Sequence, residues 1–264
     1  MKRLLTLIFA FAACCSAAHA QEQSRQRPTR LDAFGAIQIS DFLARADNFA
    51  VELQTDPTTK GYVVAYIVPN RFPGFPLRRA QWARGYLVNG RGIDPSRVEV
   101  VNGGYSDTTD VKFEFWLGEA NAKPPVEPFD LGALLMREKS PFLFDRYDYY
   151  PPSEMGMGIE SGYIGYLDDV GWFEPFVSAL RSDPAARGCI IAYATPRNRR
   201  GSDRALAALV KRNIMRTHAI GPDRIVPVAG GLRPHKLVEL WLVPPGAPLP
   251  KPTPPPRPAR RKRR

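Results

Sequence analysis

The 264-residue sequence predicts an α+β fold made twice in tandem. Three observations point to it. The run GYVVAY at 61–66 returns as GCIIAY at 188–193, identities continue on both sides at a constant offset, and helical and strand periodicities alternate in the same order in both stretches. The expected architecture is a duplicated β-α-β-α-β-β two-layer sandwich with disordered N- and C-terminal extensions. The expected boundaries are an export signal at 1–20, unit one at 31–120, a linker at 121–154, unit two at 155–246 and a Pro/Arg-rich tail at 247–264.

A shift of 127 residues brings Gly35, Ile37, Asp41, Phe49, Leu53, Asp56, Pro57, Gly61, Ala65, Tyr66 and Pro69 onto identical residues, and does the same for Ile93, Pro95, Arg97, Val101, Gly103 and Gly104. Between Phe49 and Pro69 there are eight identities, where average usage gives about one by chance. Past Gly104 the offset falls to 125, and Glu114, Trp116 and Leu117 meet Glu239, Trp241 and Leu242. A two-residue loop deletion accounts for the change.

Each unit is read from two copies. AFGAIQIS alternates as a first strand. Asp41 is placed to cap a helix whose apolar face is Phe42, Ala46, Phe49, Ala50 and Leu53; the second copy has Asp168, then Trp172, Phe173, Phe176 and Leu180. Asp56-Pro57 and Asp183-Pro184 stop both helices. GYVVAYIV is apolar on both faces and so should be a central strand. A second helix near 77–90 turns Ala80, Ala83 and Leu87 inward, and its counterpart near 203–217 turns Leu206, Leu209 and Ile214 inward. RVEVV and RIVPV are the next strands, each followed by a Gly-Gly turn. The closing strand DVKFEFWL alternates Val111, Phe113, Phe115 and Leu117 with Lys112, Glu114 and Trp116, the pattern of a half-buried antiparallel strand. In the linker NAKPPVEP is a spacer, while FLFDRYDYY is aromatic enough to pack on one unit or bridge both.

Lys2 and Arg3, the apolar run from Leu4 to Ala13, and Ala18-His19-Ala20 make an export signal cleaved after Ala20. The apolar run is too short to cross a bilayer. A lipoprotein-type cleavage before Cys14 is the weaker alternative, because Phe11 suits it poorly. Cleavage after Ala20 leaves Cys189 as the one cysteine, and its place in an apolar strand makes it a buried thiol rather than a nucleophile. The formal charge of +11 is concentrated at the ends. Losing Lys2 and Arg3 leaves +9, and the seven cations between Lys251 and Arg264 account for all but about +2. This excludes a specific nucleic-acid-binding face on the folded body. The proline-rich tail reads as an extended spacer with a cationic tip, suited either to attachment to an anionic partner or simply to solubility.

Arg79-Ala80, Ala83, Tyr86-Leu87, Gly92-Ile93 and Arg97-Val98 follow one another at spacings that resemble the OmpA-like, peptidoglycan-binding domain family. Lys236-Leu237-Val238-Glu239-Leu240 is similar to that family's closing strand, and Lys112-Phe113-Glu114-Phe115 is a weaker version. The resemblance implies a periplasmic or cell-envelope protein. It also implies that an aspartate after the central strand and the arginine of the RA pair clasp the diaminopimelate-type stem of peptidoglycan. Here no acid follows either central strand. The residues there are Ile67-Val68-Pro69-Asn70-Arg71 and Ala194-Thr195-Pro196-Arg197-Asn198. Arg79 remains in copy one, either as a ligand or as a helix residue exposed to solvent or capping a neighbouring loop. Leu206 is its counterpart, with Arg204-Ala205 two residues earlier.

In place of the aspartate both loops carry cations and amides. Asn70, Arg71, Arg79, Arg197 and Arg204 are the expected ligand-binding residues, with Arg78, Asn198, Arg199 and Arg200 beside them. Guanidinium groups suit carboxylate, phosphate or sulfate. The expected partner is peptidoglycan or another anionic envelope polymer; the alternative is a periplasmic protein–protein scaffold that has lost peptidoglycan recognition. No HExxH, GxSxG, P-loop or cysteine pair is present, so no catalysis, metal or cofactor is expected. His218 at a helix end and His235 in a turn are read as incidental. The pairs Asp107/Asp110 and Asp168/Asp169 are assigned to loop and cap.

Overall fold

A computed structural model describes residues 27–69, 71–149 and 171–254. The export signal, Asn70, Asp168 and the cationic tip lie outside the described residues. The described chain is mixed α+β, with two four-stranded mixed sheets and five α-helices.

The first unit comprises β1 (Thr29–Phe34), α1 (Ile39–Thr55), β2 (Thr59–Ile67), α2 (Gly74–Gly85), β3 (Val98–Tyr105) and β4 (Lys112–Glu119). A π-turn, Tyr86–Gly90, closes α2. Next comes α3 (Leu131–Arg137). The second sheet contains β5 (Phe142–Asp148), β6 (Arg187–Ala194), β7 (Ile225–Leu232) and β8 (Leu237–Val243), with α4 (Glu174–Arg181) and α5 (Ser202–Thr217). The strand orders are β1-β4-β2-β3 and β5-β8-β6-β7. GYVVAY and GCIIAY are therefore central strands, as their two-sided apolarity requires.

The two sheets share their register as well as their order. Gly61 faces Val98 in the parallel pair and Leu117 in the antiparallel pair; Gly188 faces Ile225 and Leu242. These partners are related by the same offsets of 127 and 125 residues found in the sequence. The repeated glycine has a packing cause. A Cβ on Gly61 would lie 2.6 Å from the Phe49 ring, and one on Gly188 would lie 2.8 Å from the Phe176 ring, so each helix settles its phenylalanine onto bare backbone. Arg97 donates to the carbonyls of Leu53, Asp56 and Thr59, and Arg224 to those of Leu180, Asp183 and Ala186. Both repeated arginines thus satisfy carbonyls at the end of a helix and in the turn after it.

Several expectations are corrected. The first strand is Thr29–Phe34 rather than AFGAIQIS, because helix α1 already begins at Ile39. Asp41 lies in the first helical turn, and the N-cap position is Gln38. The Gly-Gly pairs are not free turns. They lie inside β3 and β7, where Gly104 (φ 80°) and Gly231 (φ 88°) bulge the register against β2 and β6. The supposed linker supplies β5, which pairs with β8 as β1 pairs with β4, with a register shift at the equivalent place.

One face of each sheet is covered by helices and the other by a proline-containing strap. On the helical side a single core cluster runs from Phe34 through Phe113 and Phe115 to Phe176 and Leu242, so the units share one interior. On the other side Tyr62, Val64 and Val101 meet Trp116 and Val126, and the Tyr62 hydroxyl donates to the Ala122 carbonyl. In the second unit Cys189, Ile191 and Tyr193 meet Val243 and Ala247. The NAKPPVEP spacer and the start of the tail, both expected to be loose, are these straps; Pro-rich chain suits the role because it carries few backbone donors to leave unpaired. Cys189 is fully buried, and burial pushes its thiol up to about 12.

The straps explain why Glu114, on the expected polar side of its strand, and its counterpart Glu239 are buried. Burial would raise the Glu114 pKa, but hydrogen bonds from Lys112, Trp116 and Tyr66 outweigh it and hold the carboxyl below the ordinary glutamate range. A depressed folded-state pKa contributes stability that is complete above the unfolded value and is lost as pH falls through the folded one. Glu114→Gln should therefore lose less stability than the parent between neutral and strongly acidic pH, as read from urea midpoints. Equal losses would contradict the assignment.

Candidate anion-binding loop

In each unit the chain leaves the carboxyl end of the central strand, crosses a short loop and enters a helix. Four of the five expected ligand residues, Arg71, Arg79, Arg197 and Arg204, lie in the described part of this region.

In unit one the loop is occupied by the molecule itself. Arg78 on α2 is buried, and its Nε donates to Asp145 Oδ2 on β5 of the second unit at 2.7 Å. Its guanidinium lies over the Trp172 ring at 4.3 Å and the Tyr147 ring at 5.3 Å. Arg146 lies over the Phe72 ring at 5.3 Å, and a Cβ on Gly74 would fall 2.5 Å from the Asp145 Cβ. Arg79 donates to the Ile37 carbonyl at 3.1 Å and rests over Phe42, which realises its loop-capping alternative. Burial, then the neighbouring Arg78, lowers the Arg79 pKa. Only Arg71 is left exposed.

Unit two keeps its loop open. Arg197, Arg199, Arg200 and Arg204 are all exposed, and none of their guanidinium groups has a hydrogen-bond or ion-pair partner among the described residues. The loop backbone is nevertheless well held. Asn198 Oδ1 accepts from the Thr195 amide at 2.9 Å and from its hydroxyl at 2.8 Å. Gly201 takes a left-handed conformation (φ 82°), and Ser202 donates back to the Arg199 carbonyl. The one acid within the loop sequence, Asp203, accepts from the amides of Gly231 and Arg204. Four cations are thus displayed at the N-terminus of the 16-residue helix α5, whose dipole adds to their positive field.

The charged residues lining the cleft between the units have partners of their own. A cleft of about 460 Å³ between the units is lined by Lys60, Arg84, Glu99 and Glu174 among others. Lys60 pairs with Glu99 at 2.6 Å, and Arg84 donates to the carbonyls of Pro95 and Val98. Glu174 meets Arg181 at 2.8 Å and His218 Nδ1 at 3.0 Å. His218 thus joins the end of α5 to the start of α4. Among the described residues no three His, Cys, Asp or Glu could hold a metal ion, and no helix is long and apolar enough to cross a membrane.

The residues not singled out from sequence lie beneath the straps. Tyr66, Trp116 and Arg30 converge on Glu114, and Tyr193, Trp241 and Arg146 converge on Glu239. The signal was present, because tyrosine, glutamate and tryptophan recur at the same register in both copies. Compared with known proteins, the chain matches no family model and no curated protein.

Proposed function

We propose that this is an exported, non-catalytic cell-envelope protein of two OmpA-like units, and that unit two binds peptidoglycan or another anionic envelope polymer through loop 195–204. The observation that carries the reading is the contrast between equivalent loops. In unit one Arg78 and Arg79 are taken up by Asp145 and the Ile37 carbonyl, whereas in unit two four exposed guanidinium groups have no partner among the described residues. Exposed like charges on a braced loop repel one another, and a multivalent anion relieves that repulsion while accepting forked hydrogen bonds. The ligand groups in this reading are Arg197, Arg199, Arg200 and Arg204, with Arg79 reassigned to structure.

The burial of unit one's loop supports a second reading for that half, in which it has given up ligand recognition and serves as a protein–protein scaffold, holding unit two.

Sedimentation of the exported chain with purified peptidoglycan tests the main reading. The variant Arg197→Ala/Arg199→Ala/Arg200→Ala/Arg204→Ala should bind about tenfold or more weakly at moderate salt, whereas Arg71→Ala should change binding less than about twofold. Parent-like sedimentation of the fourfold variant would rule out the loop.

A further inference from the structure

The joint between the units has a donor face and an acceptor face, and duplication gives each a counterpart elsewhere in the chain. The donor face is the loop before α2 with that helix's first turns. Pro73, Gly74, Leu77 and Arg78 are buried there, with Arg146 over the Phe72 ring and Arg78 on Asp145. The acceptor face is β5. Phe144, unpaired in the register shift between Leu143 and Asp145, is 1% exposed, and a Cβ on Gly74 would fall 2.9 Å from its ring.

The acceptor counterpart is β1 of unit one. Its register shift, between Arg30 and Asp32, puts Leu31 at the Phe144 position and Asp32 at the Asp145 position. Leu31 is 40% exposed, so no described residue covers it as Gly74 covers Phe144. Asp32, however, is already engaged. Arg45, which stands at the Trp172 position by the offset of 127, donates to both Asp32 oxygens at 2.8 and 2.6 Å. Its guanidinium also lies over the Phe34 ring at 5.1 Å. Arg78 makes the equivalent two contacts in unit two, with Asp145 and the Tyr147 ring, but reaches them from the other unit. Arg45 thus fills from within the seat that Arg78 fills from outside.

The donor counterpart is the loop of unit two with the start of α5. At the offset of 127, Phe72, Pro73, Leu77 and Arg78 become Arg199, Arg200, Arg204 and Ala205, while Gly74 remains as Gly201. The three arginines are exposed, and the one guanidinium that the joint uses is gone. Docking this loop on a face like β5 would strip water from three cations with no free carboxylate to meet them, a loss that apolar contact does not offset.

We propose that the joint is a head-to-tail contact that a second copy of this chain would repeat if its ends were open, and that Arg45 at one end and Arg199, Arg200 and Arg204 at the other are the caps that prevent it. A contact whose two faces differ either closes a ring or runs on into filaments. Repeat proteins end in units with polar outer faces for this reason. The role is separate from what the arginines bind, and its test involves no anionic polymer.

The test opens one end at a time. The acceptor variant is Leu31→Phe/Arg45→Trp, and the donor variant is Arg199→Phe/Arg200→Pro/Arg204→Leu/Ala205→Arg. In sedimentation velocity the parent and each variant alone should behave alike, because every head-to-tail contact still has one capped face. An equimolar mixture of the two variants should form a one-to-one dimer, and a chain carrying both sets should lengthen as concentration rises. Adding Asp32→Asn to the acceptor variant should weaken the mixed dimer about tenfold or more, since it withdraws the carboxylate that Ala205→Arg is placed to reach. A mixture that sediments as separate components, with both variants folded by circular dichroism, would overturn the proposal. So would a dimer indifferent to Asp32→Asn, which would be apolar adhesion only. Should the fourfold donor variant fail to fold, Arg204→Leu/Ala205→Arg opens the same face from within the helix and is judged by the same outcomes.

Discussion

Arg78→Ala should cost about 3–5 kcal/mol of unfolding free energy, the effect of stranding one member of a buried ion pair. The Arg78 side chain is 9% exposed and that of Asp145 is 2% exposed, so water cannot stand in for the missing partner. The substitution also removes the cation over Trp172. Burial raises the Asp145 pKa, and Arg78 is the first influence opposing it. Without the arginine, Asp145 folds most easily as the neutral acid. A raised folded-state pKa gives stability that is present below the unfolded value and lost as pH rises through the folded one. The deficit of Arg78→Ala relative to the parent should therefore shrink in acid, and urea titrations at neutral and acidic pH would show it. A deficit under about 1 kcal/mol, or one that does not vary with pH, would mean that the pair does not hold the units together.

The fold was largely legible because duplication supplied two readings of each element. Apolar spacing placed Phe49 and Phe176 on helices, and the two-sided apolar runs placed β2 and β6 at sheet centres. The first strand was misplaced because its copies, TRLDAF and FLFDRYD, are 113 residues apart in pairing register rather than 127. A strand displaced by an insertion cannot be found by sliding at one offset. The straps were hidden for a different reason. Proline-rich sequence signals extended chain, and nothing in that signal says whether the chain meets water or a sheet. The site was only half visible: the sequence shows a cation's charge, not whether a carboxylate far along the chain neutralises it. Asp145 lies 67 residues from Arg78, and that distance made unit one's loop look open.

The second large effect is expected at Gly230. A Cβ there would lie 2.6 Å from two atoms of the Tyr193 ring and 2.8 Å from the Ala192 carbonyl oxygen, all closer than packed atoms tolerate. The ring has nowhere to go, with Arg233 stacked over it and its hydroxyl held by Glu239 and Thr253. Gly230→Ala should accordingly cost about 3 kcal/mol, at the upper end for overpacking by one methyl group. Gly103→Ala should behave alike, because its Cβ would fall 2.5 Å from the Tyr66 ring. A double-mutant cycle with Tyr193→Ala separates this cause from ordinary strand propensity. If the clash is with the ring, the double variant should lose clearly less than the sum of the singles. Displacing Tyr193 also withdraws the acceptor of the Thr253 amide, so that amide should exchange with deuterium faster in Gly230→Ala than in the parent while Gly103→Ala leaves it unchanged. Equal exchange in the two variants would mean that the strap does not depend on the tyrosine.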